Sequence, residues 1–340
     1  MLKSLLAGAT ALAVTVTAVV PAAAHERSLP VGPCINMGNT FEADYEASWG
    51  NGKKIDRADL DRIRAAGFET IRLPVRWHNQ SVNEAPYTVD EAYMARVEEV
   101  VAQALDAGLN VILNSHHFDP VYEDPLAIQP WHTGVWQQVA ARFADYPTDS
   151  LWFEIENEPH GNLDDSNLNA VLAPALAAIR ATNPDRPVVI GGENYSGIDS
   201  LATLNMPDDP HVFPTFHYYS PFDFTHQGAS WAGDPPPAVG RAFPTEADRE
   251  MFARDAAKVQ AYIDRTGQVP FMGETGAYDR YIPNTDRAAY HRMVREAFGP
   301  LGVDSCAWAY TNTFPFWDRS TGEWIPGLRA AFGLPEQATD

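Results

Sequence analysis

The sequence predicts an α/β protein folded as one (β/α)8 barrel, the TIM-barrel fold. From Pro33 onward, short apolar runs alternate with amphipathic stretches of helical length, and this alternation repeats eight times. No glycine-rich phosphate-binding loop follows the first strand, which disfavours the alternative of a doubly wound open sheet. No segment has the composition of a linker, so we expect a single domain.

The eight strand candidates are short apolar runs bounded by turn residues. They span residues 34–38, 69–75, 110–116, 151–157, 187–191, 212–217, 269–274 and 303–310. Among the helix candidates, Asp56 can cap the first, and Gly67 and Gly108 can end the first two. The helix candidates span residues 56–66, 89–107, 131–146, 165–182, 197–204, 246–265, 286–298 and 323–332. Residues 220–245, rich in proline, glycine and aromatic residues, are too many for a plain connection and predict an active-site loop after strand 6.

The first residues are typical of a cleaved secretory signal. Lys3 precedes an apolar stretch that reaches Val20, and small residues follow up to Ala24. A retained membrane anchor is the alternative, but threonines interrupt the apolar run and disfavour it. We therefore expect a signal peptide at residues 1–24, a barrel domain at residues 25–340, a secreted or periplasmic location, and no membrane contact after cleavage.

The formal charge of −21 limits the partners that this chain can bind. Nucleic acids are bound by clustered lysines and arginines, which the sequence lacks, so a nucleic-acid partner is disfavoured. A neutral or cationic partner fits better. We expect the protein to be a monomer.

In a (β/α)8 barrel, catalytic groups lie where the strands end and the following loops begin. Polar and aromatic side chains of this sequence cluster at those strand ends. They are Asn39, Arg72, Arg76, His116, His117, Asn157, Glu158, His217, Tyr219, Glu274 and Trp308. Scattered surface residues would not follow the strand ends so closely, so the pattern predicts a functional site at this end of the barrel.

The segment LWFEIENEPHGN places three glutamates in an apolar run. Side chains alternate along a strand, so Glu154, Glu156 and Glu158 are expected on one face. The run stops at a proline, which leaves Glu158 at the barrel mouth. A buried carboxylate needs a partner, so we interpret the two deeper glutamates as structural residues held by interior groups such as Arg72 or His116.

A second carboxylate, Glu274, ends an apolar strand in the segment QVPFMGETGAY, where glycines allow close approach. Strands 4 and 7 lie across the barrel from each other, so Glu158 and Glu274 can converge on one bound molecule. Two facing carboxylates can hydrolyse a glycosidic bond, because one protonates the leaving oxygen while the other attacks or activates water. An ordinary ion pair or a loop cap is the alternative for each glutamate.

These motifs resemble glycoside hydrolase family 5, the cellulase family, along the whole expected mature chain. The resemblance is carried by GNTFEADYEASWG, IRLPVRW, LNSHH, FEIENEPHGN, HYYSPFDFTHQGASW, GETGAY and CAWAY. The sequence is most similar to a bacterial branch of endoglucanases in which some members also cut mannan. The resemblance implies a retaining endo-β-1,4-glucanase that acts on a β-linked polysaccharide or oligosaccharide without a metal or an organic cofactor.

Within this resemblance, Glu158 corresponds to the acid/base and Glu274 to the nucleophile. A nucleophile must stay ionised, and Arg72 and Tyr219 look like the partners of Glu274 that favour this. Asn157 corresponds to the residue that binds the sugar 2-hydroxyl. The other residues expected to bind substrate are Asn39, Glu42, Trp49, His116, His117, His217, His226, Trp231 and Trp308. Further aromatic residues expected in loops at the barrel mouth are Tyr122, Tyr195, Tyr218 and Trp317.

The sequence departs from the family pattern at several positions. Glu156 stands where an apolar residue is usual, and Thr275 where an aromatic residue is common. Thr311 and Asn312 replace a Trp–Glu pair. Substrate preference is therefore open between glucan, mannan or glucomannan, and xyloglucan. A polysaccharide-binding barrel without activity and a metal-dependent hydrolase that uses the two adjacent histidines of strand 3 are the alternatives from other classes.

The two cysteines, Cys34 and Cys306, fall on the first and last strands, which barrel closure makes neighbours. A disulfide between them would pin the closure in an oxidising compartment. Two buried thiols are the alternative, and the sequence leaves both open.

Overall fold

The structure is a computed structural model that describes residues 27–50 and 52–336. Eight parallel strands close into a barrel in chain order, which confirms the predicted (β/α)8 fold. The strands are β1 (Cys34–Asn36), β2 (Thr70–Val75), β3 (Asn110–Ser115), β4 (Leu151–Glu154), β5 (Val188–Gly191), β6 (Val212–His217), β7 (Phe271–Thr275) and β8 (Ser305–Ala307). The predicted signal peptide lies outside the described residues. Among those that are described, no helix has the length and apolar character that a membrane crossing requires.

Helices and short helical turns follow the strands. The helices are α1 (Arg57–Ala65), α2 (Glu91–Asp106), α3 (Asp119–Glu123), α4 (Pro125–Arg142), α5 (Leu168–Thr182), α6 (Glu193–Ser196), α7 (Phe222–Thr225), α8 (Glu246–Thr266), α9 (Asn284–Phe298) and α10 (Leu328–Phe332). Asp56 caps α1 as predicted, and Asp59 completes a capping box with it. These caps fix where the helices begin and therefore the lengths of the loops at the barrel mouth.

Three of the predicted helices depart clearly from the structure. The helix expected at residues 197–204 is only a 3-10 turn, Ile198–Ala202. The one expected at residues 323–332 begins at Leu328, because its first residues form an antiparallel hairpin of β9 (Trp317–Asp318) and β10 (Glu323–Trp324). Helix α4 begins before the predicted residue 131, since Asp124 caps it and Pro130 is accommodated inside it.

The barrel interior changes from apolar to polar along the strands. Its lower part is filled by an apolar cluster that includes Cys34, Ile112 and Trp152. Two positions further along the same strands, on the same inner face, the residues are Asn36, Asn114 and Glu154, and all three are buried. The polar layer lies at the carboxyl ends of the strands, where the site was predicted.

A disulfide joins Cys34 to Cys306, which are direct partners in the register of β1 and β8. Both side chains are fully buried. The link closes a loop of sequence separation 272 between the first and last strands of the barrel. Of the two alternatives that the sequence left open, the structure has the disulfide.

Replacing both cysteines by serine is expected to lower the free energy of unfolding by about 2–4 kcal/mol, because the unfolded chain is then no longer cross-linked. Denaturant unfolding of the double variant beside the oxidised parent measures the change. Thiol titration of the unfolded, unreduced parent should find no free thiol. Two titratable thiols there, or equal stability of the two proteins, would contradict the assignment.

Candidate active site

Arg72 projects from β2 into the polar layer and is fully buried. A guanidinium has five N–H donors, and each of them finds an acceptor here. The acceptors are the two carboxylate oxygens of Glu154 at 2.7 Å each, Glu274 Oε1 at 2.7 Å, Asn157 Oδ1 at 2.6 Å and Asn36 Oδ1 at 3.0 Å. One cation therefore fixes side chains from three other parts of the barrel wall.

Glu274 lies on β7 with both carboxylate oxygens bound. Arg72 donates to Oε1, and the hydroxyl of Tyr219 donates to Oε2 at 2.9 Å. These are the two partners that the sequence predicted. Burial raises the pKa of Glu274 above its ordinary value, while the nearby His217 and Arg72 oppose that rise. The surroundings of Glu274 thus work to keep a buried carboxylate ionised.

Glu158 follows β4 in a left-handed backbone conformation, with φ of 49°. Its Oε1 lies 2.7 Å from Nδ1 of His217. Burial raises the pKa of Glu158 to about 7, and Arg72 is the main group that opposes the rise. Burial also lowers the pKa of His217 to about 4, so this histidine is uncharged near neutral pH. Glu158 therefore has no cation in direct contact and can hold a proton near pH 7.

The two carboxylates face each other at close range. One oxygen of Glu158, one oxygen of Glu274 and one ring nitrogen of His217 all lie within 4.8 Å of one another. In retaining glycosidases the two carboxyl groups are about 5–5.5 Å apart, whereas inverting enzymes leave about 6.5–9.5 Å for a water molecule. The spacing in this structure corresponds to the retaining class.

The same three side chains are also the one group of three potential metal ligands found among the described residues. His116 and His117, considered above for a metal, belong to no such group in that part of the chain. The ring of His116 bonds to Asn114 Oδ1 at 2.9 Å, and its centroid lies 4.2 Å from that of His117. The ligand set expected for the metal-dependent alternative is therefore not assembled.

An open cavity of about 1230 Å³ lies above the carboxylate pair. Most of the side chains predicted to bind substrate line it. They are Asn39, Trp49, His116, His117, His217, Tyr219, His226, Trp231 and Trp308. Trp49 and Trp231 are 43% and 55% exposed, so each offers an aromatic surface to a ligand. Both belong to loops that were expected at this end of the barrel.

Trp308 is held as a wall of the cavity from two sides. Its ring stacks on that of His116 at 5.8 Å with an angle of 13°. On the other side, Gly38 lies so close that an added Cβ would come within 2.8 Å of the indole. A glycine is therefore required at the end of β1 for Trp308 to keep this position.

Two further aromatic surfaces line the cavity. Tyr195, expected in a mouth-side loop, is 57% exposed and stacks on His160 at 4.3 Å. Phe222, which the sequence analysis did not single out, is 48% exposed and stacks on His226 at 4.1 Å. Its position in the aromatic-rich loop after β6 was the signal that could have identified it.

Of the residues predicted to bind substrate, Glu42, like Arg72 and Asn157, does not line the cavity. Its carboxylate is buried and accepts hydrogen bonds from the backbone amides of Asn39 and Thr40. Burial raises the pKa of Glu42 to about 7. The side chain fixes the loop that carries Asn39 to the cavity and does not itself line that cavity.

Three of the expected mouth-side aromatic residues do not form a platform. Tyr122 is buried, with its hydroxyl against Glu156. Tyr218 is 1% exposed, and its hydroxyl donates to Asp255. Trp317 lies in the β9–β10 hairpin, outside this cavity. Loop position alone does not distinguish an aromatic residue that packs under a loop from one that faces a ligand.

The three glutamates of the β4 segment do not share a face. The strand ends at Glu154, which pairs with Arg72 as predicted. Beyond it the chain leaves strand geometry, and Glu156 meets Tyr122, His132 and Ser115 instead of Arg72 or His116. The prediction of an interior partner is therefore wrong for Glu156.

Comparisons with known proteins agree with the geometry. A family model described as cellulase (glycosyl hydrolase family 5) matches residues 34–313. Endoglucanase H of Acetivibrio thermocellus is 36% identical over 82% of this chain and 29% of its own length. Cellulase/esterase CelE of the same organism is 29% identical over 85% of this chain and 37% of its own length. The chain thus spans about a third of these two relatives. Cel5A of Thermotoga maritima, solved in complex with mannotriose, is 32% identical, with a TM-score of 0.84 over 89% of this chain and 97% of that one.

Replacing Arg72 by methionine is expected to lower the free energy of unfolding at pH 7 by about 3–5 kcal/mol, because two buried carboxylates lose their cation. Denaturant unfolding measures the change. Arg57→Met is the control, since its partners Asp61 and Asp106 are exposed and its removal should change stability little. Equal, small effects of the two variants would contradict the central place given to Arg72.

Proposed function

The chain belongs to glycosyl hydrolase family 5, and on that premise we propose that it is a retaining endo-β-1,4-glucanase. The observation that carries the proposal is the approach of Glu158 and Glu274 within 4.8 Å below an open cavity. This separation leaves no room for the water molecule that an inverting mechanism places between carboxylate and sugar.

The two carboxylates have different roles because their partners differ. Glu274, held by Arg72 and Tyr219, attacks the anomeric carbon and forms a glycosyl-enzyme intermediate. Glu158 protonates the leaving oxygen and then, as a base, activates the water that releases the sugar. A raised pKa suits a group that must first donate and later accept a proton.

Asn157 and the cavity walls position the sugar. Arg72 holds the side-chain oxygen of Asn157, so the amide N–H groups remain for Glu158 and for the sugar 2-hydroxyl. Trp308, stacked on His116, provides a surface beside the point of cleavage. A hydrogen bond to the 2-hydroxyl strengthens at the transition state, which makes Asn157 part of the catalytic machinery.

The exposed aromatic rings support endo action on a long chain. Trp49 lies in the loop after β1, and Trp231 lies in the loop after β6. Sugar rings stack their C–H faces on such rings, so several units of one polymer can be held across the mouth. We propose cellulose-like or mixed-linkage glucan as the substrate, since relatives of this chain are endoglucanases.

Mannan or glucomannan is the second candidate substrate. The similar Thermotoga maritima enzyme was solved with mannotriose as well as with cellobiose. Comparing reducing-sugar release from carboxymethylcellulose, barley glucan, glucomannan and xyloglucan discriminates between these substrates.

We also propose that the protein acts as a secreted or periplasmic monomer after removal of a signal peptide. The Cys34–Cys306 disulfide supports an oxidising compartment.

Replacing Glu158 by alanine is expected to lower kcat/KM on cellotetraose by about 10²–10⁴-fold, because its leaving group needs a proton. The loss on a dinitrophenyl cellobioside should be far smaller, since that leaving group departs without one. Glu274→Ala is the companion variant and should lose activity on both substrates. Equal losses in Glu158→Ala on the two substrates would contradict the acid/base assignment, and unchanged turnover in Glu274→Ala would contradict the enzyme assignment itself.

The activity should depend on pH through both carboxylates. Glu158 donates only while it is protonated, so kcat/KM on cellotetraose should fall as pH rises through about 7, the pKa to which burial raises it. Glu274 attacks only when it is ionised. The fall of kcat/KM toward acidic pH should therefore be centred above the ordinary pKa of a glutamate, because burial raises the pKa of Glu274. A rate that stays constant well above pH 7 would contradict this account. Glu158→Ala, assayed on the dinitrophenyl substrate, should lack the alkaline limb.

A further inference from the structure

The backbone at Glu158 is held from both sides by side chains. A residue other than glycine in the left-handed region costs about 1–3 kcal/mol and persists only where its surroundings impose it. The Tyr122 hydroxyl lies 2.5 Å from the carbonyl before it, Asn157 O, and 2.5 Å from Glu156 Oε1, and it shares its one proton between these two acceptors. The carbonyl of Glu158 itself accepts from His160 Nδ1 at 2.6 Å. Both peptide groups that flank the Glu158 Cα are therefore fixed.

The Tyr122 ring takes part in both contacts, and His160 also stacks on Tyr195 at 4.3 Å. His160 packs on the Tyr122 ring with centroids 4.0 Å apart, so Tyr122 both bonds to Asn157 and supports the histidine that bonds to Glu158. Tyr122 is buried, and its hydroxyl lies within hydrogen-bond distance of Glu156 and Asn157. A shift of this one ring would change the constraints on both sides of the acid/base.

Glu156 is the group that anchors Tyr122. Its Oε1 lies 2.5 Å from the Tyr122 hydroxyl, and its Oε2 lies 3.0 Å from His132 Nε2 and 3.3 Å from Ser115 Oγ. The side chains of Glu156 and His132 are completely buried. A carboxylate taken from water is tolerated only with such donors, so the cluster behaves as one unit.

The same cluster also restrains the chain before Asn157. His132 Nε2 lies 3.2 Å from the carbonyl of Ile155, which Trp136 Nε1 also contacts at 2.9 Å. The carbonyls on either side of Glu156 are thus held by side chains, where the regular strand has already ended. Together with the backbone bond from the Asn157 N–H to Ser115 O at 2.8 Å, these side-chain contacts direct the chain from which Glu158 projects.

From these contacts we propose that Glu156 is a positioning residue: through Tyr122 and His160 it holds Glu158 in the orientation for proton donation. The inference rests on the proposed glycosidase function. Glu156 does not line the cavity and stands at a position where the sequence departs from the family pattern. Its effect should therefore appear where the reaction needs the proton donor and not in the attack by Glu274.

The test compares Glu156→Leu with the parent on cellotetraose and on a dinitrophenyl cellobioside. Kcat/KM on cellotetraose is expected to fall about 10–100-fold, the scale of a misplaced catalytic group, with a change below about threefold on the activated substrate. Glu156→Gln should recover most of the loss. Its amide oxygen can serve His132 and Ser115, and its N–H can meet the Tyr122 oxygen, which then donates to Asn157.

Tyr122→Phe keeps the test decisive if the leucine variant does not fold. It removes only the bridging hydroxyl and should reproduce the selective loss. Combining Tyr122→Phe with Glu156→Leu should add little, because both act through one contact. Equal losses on the two substrates, or no loss on cellotetraose, would overturn the proposal.

Asp209→Asn is the matched control. It breaks a partly buried ion pair with Arg180 on the outside of the barrel and should leave the ratio of the two activities unchanged. An inactive parent would refute the proposed function as a whole. An active parent with a uniform loss in the Glu156 and Tyr122 variants would refute the positioning role alone.

Discussion

The guanidinium of Arg72 is the constraint on which the site depends. A buried cation is stable only if its donors are paired, and here all five have acceptors. Because those acceptors come from β1, β4 and its following turn, and β7, the same bonds that satisfy Arg72 set the positions of Asn157 and Glu274. The apolar layer below it keeps water away, so these bonds are stronger than they would be at a surface.

The same burial has different consequences for the two carboxylates. It raises the pKa of both, but Glu274 touches Arg72 and the Tyr219 hydroxyl, which favour its charged form. Glu158 touches only the uncharged His217 among these groups. One barrel end therefore holds, within 4.8 Å, one carboxylate whose partners favour its charged form and one that has no cation in direct contact.

Much of this arrangement could be predicted from the sequence, because Glu158 ends an apolar run before Pro159 and Glu274 ends another between Gly273 and Gly276. The eightfold alternation of strands and helices predicted the barrel. The barrel geometry then predicted that the two glutamates lie close together. What failed has physical causes. The alternation that placed Glu156 beside Glu154 stops where the strand stops, and hydrogen bonds from helices then decide its direction. Glu42 is satisfied by backbone amides, which no residue pattern encodes. The β9–β10 hairpin is too short to show a period.

The central claim is that Glu274 forms a covalent bond to the sugar. A 2-deoxy-2-fluoro cellobioside with an activated leaving group slows both steps and lets the glycosyl-enzyme accumulate. Mass spectrometry of the peptides after proteolysis should find one fluorosugar on the peptide that contains Glu274. A label on any other residue, or turnover with inverted configuration and no label, would contradict the account.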